Sequence, residues 1–240
     1  MQIRTHPVKK TFLTGLAVLC FFCVRPLFAD SKNIVYSNTF AIADITDLKI
    51  SLDYEELRIN QIYGDEISIE IGCNNLSLVP SVQLQDNVLS IQGAGTHKQS
   101  KAIKNKGNVC TVYVYIPQDF MPGTINISLQ SSNLMAEVLR ASTAIVISST
   151  SGRIDLMESH TESLTVKNVS GNTTIQKIKV DYFDLRSTSG LIFAELAQAP
   201  LARCSIQNKS GKVQLYYPKD AQLPQIDISS KSDKTEIKPF

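Results

Sequence analysis

Histidine is scarce in this sequence, three residues in 240, and none stands in a pattern that does chemistry. There is no H-E-x-x-H zinc helix, no G-x-S-x-G nucleophile elbow and no phosphate-cradling loop. Gly93-Ala94-Gly95 is too short a fragment to count as one. His97 lies in a lysine-rich stretch and His160 at a variable corner, so both read as solvated polar residues. The serines are many, but none has a base beside it, and bonding to turn backbone is role enough for them. No cysteine spacing resembles a metal site. Cys20 and Cys23 fall in an amino-terminal apolar segment, which leaves Cys73, Cys110 and Cys204. An odd number is not a disulfide framework. One pair still suits an oxidising compartment. Cys73 and Cys110, both on strand-like segments, are the better match for it. These absences leave no catalytic, cofactor-binding or metal-binding residue to name, and no cofactor is implied.

Two further absences concern charge and helix. Outside the first thirty residues almost no segment has helical periodicity, Met135 to Leu139 being the nearest to a helical turn. The formal net charge of +2 belongs to the amino terminus. There Arg4, Lys9 and Lys10 precede a 14-residue apolar run from Thr11 to Val24, and Leu27-Phe28-Ala29 offers a cleavage point before Asp30. That order is a secretory signal peptide over residues 1–29. The run is short for a membrane span, which needs about 20 apolar residues. An uncleaved anchor and a lipidated cysteine are the alternatives. Without the signal and its four basic residues the chain keeps 20 basic and 22 acidic residues, a net of −2. Nothing in that balance calls for nucleic acid.

What the sequence does have is a repeat. Ser-Gly recurs at Ser151-Gly152, Ser170-Gly171, Ser189-Gly190 and Ser210-Gly211, at intervals of 19, 19 and 21 residues. Similar steps outward reach Ser132-Asn133 and Ser232-Asp233, where Asn and Asp tolerate a left-handed backbone. Before each pair stand Ile145 and Ile147, Leu164 and Val166, Phe183 and Leu185, Cys204 and Ile206, Ile226 and Ile228. After it stand Ile154 and Leu156, Thr173 and Ile175, Ile192 and Ala194, Val213 and Leu215. Alternation on both sides of a turn means two half-buried strands per repeat. Glu158 to Ser163, Lys177 to Tyr182 and Ala197 to Ala202 form a second, variable corner. Such a unit cannot bury its apolar side alone, but stacked copies can. The expected fold is all-β: a single-stranded parallel β-solenoid of about 19–22 residues per rung. Gly152, Gly171, Gly190 and Gly211 are its structural turns, where φ > 0 would cost a residue with a Cβ about 1–2 kcal/mol. An antiparallel sandwich with Ser-Gly hairpins is the alternative, but hairpins do not require so constant an interval.

Residues 30–123 read as an irregular β region continuous with the repeats of 124–240. Strand-like runs occupy Leu48 to Leu52, Leu57 to Ile62, Ile67 to Ile71, Val88 to Gln92 and Val109 to Ile116, with a turn at Tyr63-Gly64-Asp65. Residues 93–108, carrying Lys98, Lys101, Lys104 and Lys106, read as an exposed loop. Asp44, Asp47, Asp53, Glu55 and Glu56 match no calcium loop and read as solvated acids. The Asn-x-Ser/Thr triplets at Asn75, Asn126, Asn168, Asn172 and Asn208 carry little weight, since the repeat turns generate several of them.

The form apolar-x-apolar-x-x-x-Ser-Gly-x-apolar-x-apolar, carried by Ile145 to Leu156 and Leu164 to Ile175, resembles the bacterial putative-adhesin family of β-strand-repeat proteins, a domain of unknown function. The run Val112-Tyr113-Val114-Tyr115-Ile116-Pro117 adds to the likeness. The resemblance covers about residues 34–238, nearly all of the chain beyond the signal. It implies an exported or envelope-associated β-solenoid and carries over no site residues. The expectation is a non-enzymatic, adhesin-like protein in the periplasm, at the cell surface or secreted, with an unidentified envelope, matrix or host-surface ligand. A structural or envelope-stress component, self-associating through the solenoid ends, is a second expectation. A polysaccharide-active enzyme is a third and weaker one: Asp155 and Glu158, and Asp181 and Asp184, are close in sequence but not aligned between repeats.

Overall fold

The computed structural model describes residues 33–94, 109–200, 202–219, 226–230 and 235–239. The signal-like segment, His97 and the Ser232-Asp233 corner lie outside the described residues. Among the described residues seventeen strands follow in chain order: β1 (Ile34–Ala41), β2 (Asp47–Leu52), β3 (Glu56–Ile62), β4 (Glu66–Cys73), β5 (Ser81–Gln85), β6 (Val88–Gln92), β7 (Cys110–Pro117), β8 (Thr124–Leu129) and β9 (Leu134–Arg140). After them come β10 (Ala144–Ser151), β11 (Ile154–Ser170), β12 (Thr173–Ser189), β13 (Ile192–Leu196), β14 (Arg203–Ser210), β15 (Val213–Tyr217), β16 (Ile226–Ser230) and β17 (Thr235–Pro239). The described residues contain no α-helix, only two short 3-10 turns at Ile42–Asp44 and Leu76–Leu78.

Two parallel ladders build the solenoid. The strands that lead into each corner pair in the spatial order β6, β2, β8, β10, the second half of β11, the second half of β12, β14 and β16. The strands that leave it pair as β7, β3, β9, the first half of β11, the first half of β12, β13, β15 and β17. From Thr124 onward six rungs follow one another, each made from one strand of either ladder.

The alternation read from sequence sets the core. Leu48, Ile125, Ile145, Leu164, Phe183 and Cys204 stand in one inward column, and Ile50, Ile127, Ile147, Val166, Leu185 and Ile206 in the next. Leu57, Leu134, Ile154, Thr173, Ile192 and Val213 form a third. All of these are at most 2 % exposed. Each fully buried Ile or Leu contributes about 2 kcal/mol of burial free energy, and equivalent residues meet at the strand spacing of about 4.8 Å. Ile228, on the last rung, is only half-buried.

The amino-terminal part is continuous with this stack, and what makes it irregular is chain order. The β2–β3 rung lies between the β6–β7 rung and the β8–β9 rung. Its strands therefore have no constant sequence interval, and periodicity cannot reveal them. Beyond the β6–β7 rung the pairing turns antiparallel: β5 on β6, β4 on β7, and β1 on β4. The expected turn at Tyr63-Gly64-Asp65 joins β3 to β4, with Gly64 at φ 135°. Met135 to Leu139 lies within strand β9.

The glycine corner has one demanding contact. Gly152, Gly171, Gly190 and Gly211 take φ of 141°, 123°, 118° and 125°. A Cβ on Gly171 would lie 2.2 Å from the carbonyl oxygen of Gly152, and one on Gly190 would lie 2.3 Å from that of Gly171. Ser132, not Asn133, opens this column, because the register sets Leu134 opposite Ile154 and the Gly152 contact falls on the Ser132 carbonyl. The expectation of a left-handed Asn133 is thus corrected. Neither residue has positive φ, and the Asn133 side chain instead accepts a hydrogen bond from the Arg153 N–H at 2.9 Å. Asn172 does the same two rungs on, accepting from Leu191 N–H at 3.1 Å. The second corner differs from expectation as well. β11 and β12 run through it unbroken, because Ser159, His160 and Thr161 stay in ladder register with Ile178, Lys179 and Val180. The bend there is taken partly by Lys177, at φ 51°.

Gly171→Ala is expected to cost about 3 kcal/mol or more, from backbone strain together with the clash on Gly152. Asn172→Ala, which loses one hydrogen bond, is expected to cost about 1 kcal/mol. Urea unfolding midpoints of the two variants check this, and equal shifts would show that the corner does not need glycine.

Candidate functional site

The four predicted turn glycines come together in one column, and a polar column lies just inside it. Ser149, Asn168, Ser187 and Asn208 are in register and buried. The Asn168 Nδ2 donates to the carbonyls of Gly152 and Gly171, at 3.2 and 3.4 Å, and to Thr173 Oγ1 at 3.1 Å. The Asn208 Nδ2 donates to the Gly190 carbonyl at 3.2 Å. A carbonyl buried at a tight corner needs a donor, and these amides supply it. In the sequence Asn168 and Asn208 stand out only as parts of Asn-x-Ser/Thr triplets. The available signal was position: both continue the two-residue alternation inward from Leu164 and Val166, and from Cys204 and Ile206.

The acidic group needs correction at one residue. Asp44 is exposed, and Glu56 pairs with Arg58 at 3.2 Å. Asp47 accepts from the Thr124 hydroxyl at 2.6 Å and from the Thr46 hydroxyl at 2.9 Å. Those bonds hold its carboxyl below the usual range. Glu55, expected to be solvated, is fully buried. Its Oε2 accepts the N–H groups of Asp53 and Tyr54, at 2.9 and 3.0 Å, while Oε1 has no partner. The carboxylate fills the bend of the β2–β3 rung, where a Cβ on Gly93 would meet it at 2.9 Å. Burial raises its pKa, outweighing the backbone N–H groups that favour the carboxylate. The aligned-carboxylate chemistry considered for an enzyme does not assemble. Asp155 and Asp184 pair with Arg153 and Arg186 at 2.6 and 2.8 Å, and across the rungs they face Thr174 and Ser205.

The outward side of the second ladder carries several aromatic side chains and a guanidinium. Arg58 lies over the Tyr113 ring, 5.9 Å from its centroid, and Tyr113 stacks with Tyr115 at 6.5 Å. Farther along the same ladder Phe193 packs against Tyr216 at 5.3 Å. His160 is exposed, as expected, and lies in register between Arg140 and Lys179. It lines a shallow cleft of about 220 Å³ with Met121, Thr161, Lys179 and Asp181. Among the described residues no three His, Cys, Asp or Glu side chains are grouped to hold a metal ion. No described helix is long and apolar enough to cross a membrane.

A two-ladder parallel solenoid with a glycine corner and open outer faces is thus the class of protein that fold and surface define. The chain belongs to the Toastrack DUF4097 family, whose model matches residues 45–230. This bears out the resemblance drawn from the Ser-Gly repeats. Among solved structures it is similar to a "putative cell adhesion protein" from Clostridium sporogenes, at 13% identity and a TM-score of 0.49, covering 82% of this chain and 99% of that one. It is also similar to a "putative adhesin" from Parabacteroides distasonis, at 14% identity and a TM-score of 0.45, covering 85% and 96%. A "putative adhesin" from Bacteroides fragilis gives 13% identity and a TM-score of 0.46, with the same coverage. Comparison with curated proteins finds no match.

The Glu55 environment sets a pH test. A carboxyl whose folded pKa lies above its unfolded value stabilises the fold when protonated, and that contribution is lost as pH rises through the folded pKa. Glu55→Gln should therefore gain stability on the wild type as pH is raised from about 4 to 8. Denaturant midpoints across that range check it, and a pH-independent difference would show that Glu55 titrates as a solvated acid does.

Proposed function

We propose that this protein is an exported, non-enzymatic, adhesin-like β-repeat protein that presents a binding surface at the bacterial cell envelope. The observation that supports this most is the outward side of the second ladder. Equivalent side chains there stand one rung apart, so that contacts with a repetitive ligand are themselves repeated. Arg58 and Tyr115 at one end, half-buried around the buried Tyr113, and the half-buried Phe193 and Tyr216 toward the other, supply the residue types that dominate recognition surfaces. Many weak contacts along one rigid face reach useful avidity without a deep pocket. The signal-like order of residues 1–29 supports export.

Fractionation of cells is expected to place the protein in the envelope or the medium. Purified residues 30–240 should be retained by whole cells, matrix proteins or a glycan array. The Phe193→Ala/Tyr216→Ala double variant, checked for folding by circular dichroism, should lose roughly tenfold in retention. A cytosolic location, or no retention on any of these surfaces, would count against the reading.

One observation favours a second reading, self-association. At the β6–β7 end, antiparallel β4 and β5 cover the ladders. Among the described residues β16 and β17 pair on one side only, with β14 and β15. Uncovered strand edges are templates for pairing with another chain. Sedimentation that shows dimers growing with concentration is the expected result; a monomer at every concentration would remove this reading.

A further inference from the structure

We propose that Cys73 and Cys110 form a disulfide bond that locks the covered end of the solenoid. The two residues are direct cross-strand partners, the last pair of the antiparallel β4–β7 ladder. The next pair outward, Asn74 and Val109, is the hydrogen-bonded kind, with the Asn74 N–H donating to the Val109 carbonyl at 3.1 Å. Because pair types alternate along an antiparallel ladder, Cys73 and Cys110 form a non-hydrogen-bonded pair. Its Cα atoms stand about 4.5 Å apart and its side chains approach most closely. That separation lies within the range of about 4.4–6.8 Å that a disulfide spans. Both side chains are buried on the same side, 5 % and 4 % exposed.

Among the described residues the two thiols make only weak hydrogen bonds. The Cys73 Sγ donates to the Asn75 carbonyl at 3.3 Å and the Cys110 Sγ to the Leu78 carbonyl at 3.9 Å, both weak bonds. Leu78 keeps a donor in the Tyr54 hydroxyl, at 3.4 Å. Burial, followed by the neighbouring Cys73, pushes the Cys110 thiol well above its ordinary value. A thiol of that kind attacks slowly once buried, so the bond forms while β4 and β7 are still exposed. The oxidant is a small-molecule or protein disulfide. One thiol loses its proton and its thiolate attacks the oxidant's S–S bond, expelling one thiolate. The second thiol, deprotonated in turn, attacks the mixed disulfide and expels the other. One Sγ–Sγ bond forms, two S–H bonds break, and the oxidant leaves as two thiols carrying the two protons and two electrons.

The bond would close a loop from residue 74 to residue 109, which includes the β5–β6 hairpin at the end of the stack. Cys204 takes no part: it is fully buried in the inward column that holds Phe183, in the second half of the chain. In the cell the proposal rests on export to an oxidising compartment, but its chemistry can be tested apart from location.

The purified protein, unfolded in guanidinium, is refolded with oxidised glutathione in excess and then alkylated under denaturing conditions. Mass spectrometry is expected to find Cys204 alkylated and a linked peptide pair containing Cys73 and Cys110. Reduction of this form should lower its thermal midpoint by about 10 °C. Alkylation at all three cysteines, a link to Cys204, or a midpoint unmoved by reduction would overturn the proposal. A linked pair in vitro with free thiols in protein taken from cells would instead overturn export while leaving the site standing.

Discussion

Everything in this fold depends on how closely two successive rungs approach at the glycine corner. The parallel ladders hold their hydrogen bonds only at a rung spacing of about 4.8 Å. At the corner the backbone turns so that the carbonyl oxygen of one rung occupies the volume a Cβ of the next would need. Only hydrogen fits there, so the corner has the same residue in Gly152, Gly171, Gly190 and Gly211. A wider spacing would relieve the clash and open the hydrogen bonds on both sides of it. The apolar columns would then lose contact as well, since each inward residue packs on its equivalents above and below. Sequence, turn and core are thus constrained through one short contact repeated along the stack.

That constraint explains which parts of the fold were legible. The Ser-Gly interval and the two-residue alternation are local, so the strands, their inward residues and Cys204 among them could be read directly. Asn133 looks suited to a left-handed backbone, yet Ser132 stands at the position equivalent to Gly152. The actual rung simply holds one residue more. The amino-terminal rungs were seen as strands but not as rungs, since their neighbours come from distant parts of the chain. Glu55 could not be read as buried: it sits in an acidic run, and only the bend of the β2–β3 rung removes it from water. The polar inner column was readable in principle, but a serine or asparagine beside a turn is ordinarily taken for a surface residue.

The same logic separates what the stack fixes from what it leaves open. Inward residues are committed to the columns, and corner residues to the close approach. The buried amides of Asn168 and Asn208 are committed to the corner carbonyls. Only the outward side chains are free of such duties. There the chain places half-buried aromatic rings and a guanidinium, at Arg58, Tyr115, Phe193 and Tyr216. Those faces are rows with a fixed repeat and not a closed pocket.

The interleaved position of the β2–β3 rung bears on how the chain assembles. Residues 47–62 are synthesised before both of the rungs that flank them. A stack of this kind cannot grow by laying each new coil on the one just finished. Its interior is made first and waits, bare along both edges, until segments 88–92 and 124–129 have followed and closed over it from opposite sides. Bare edges of that sort are where a nascent chain is most prone to pair wrongly. The β2–β3 rung thus stays vulnerable the longest.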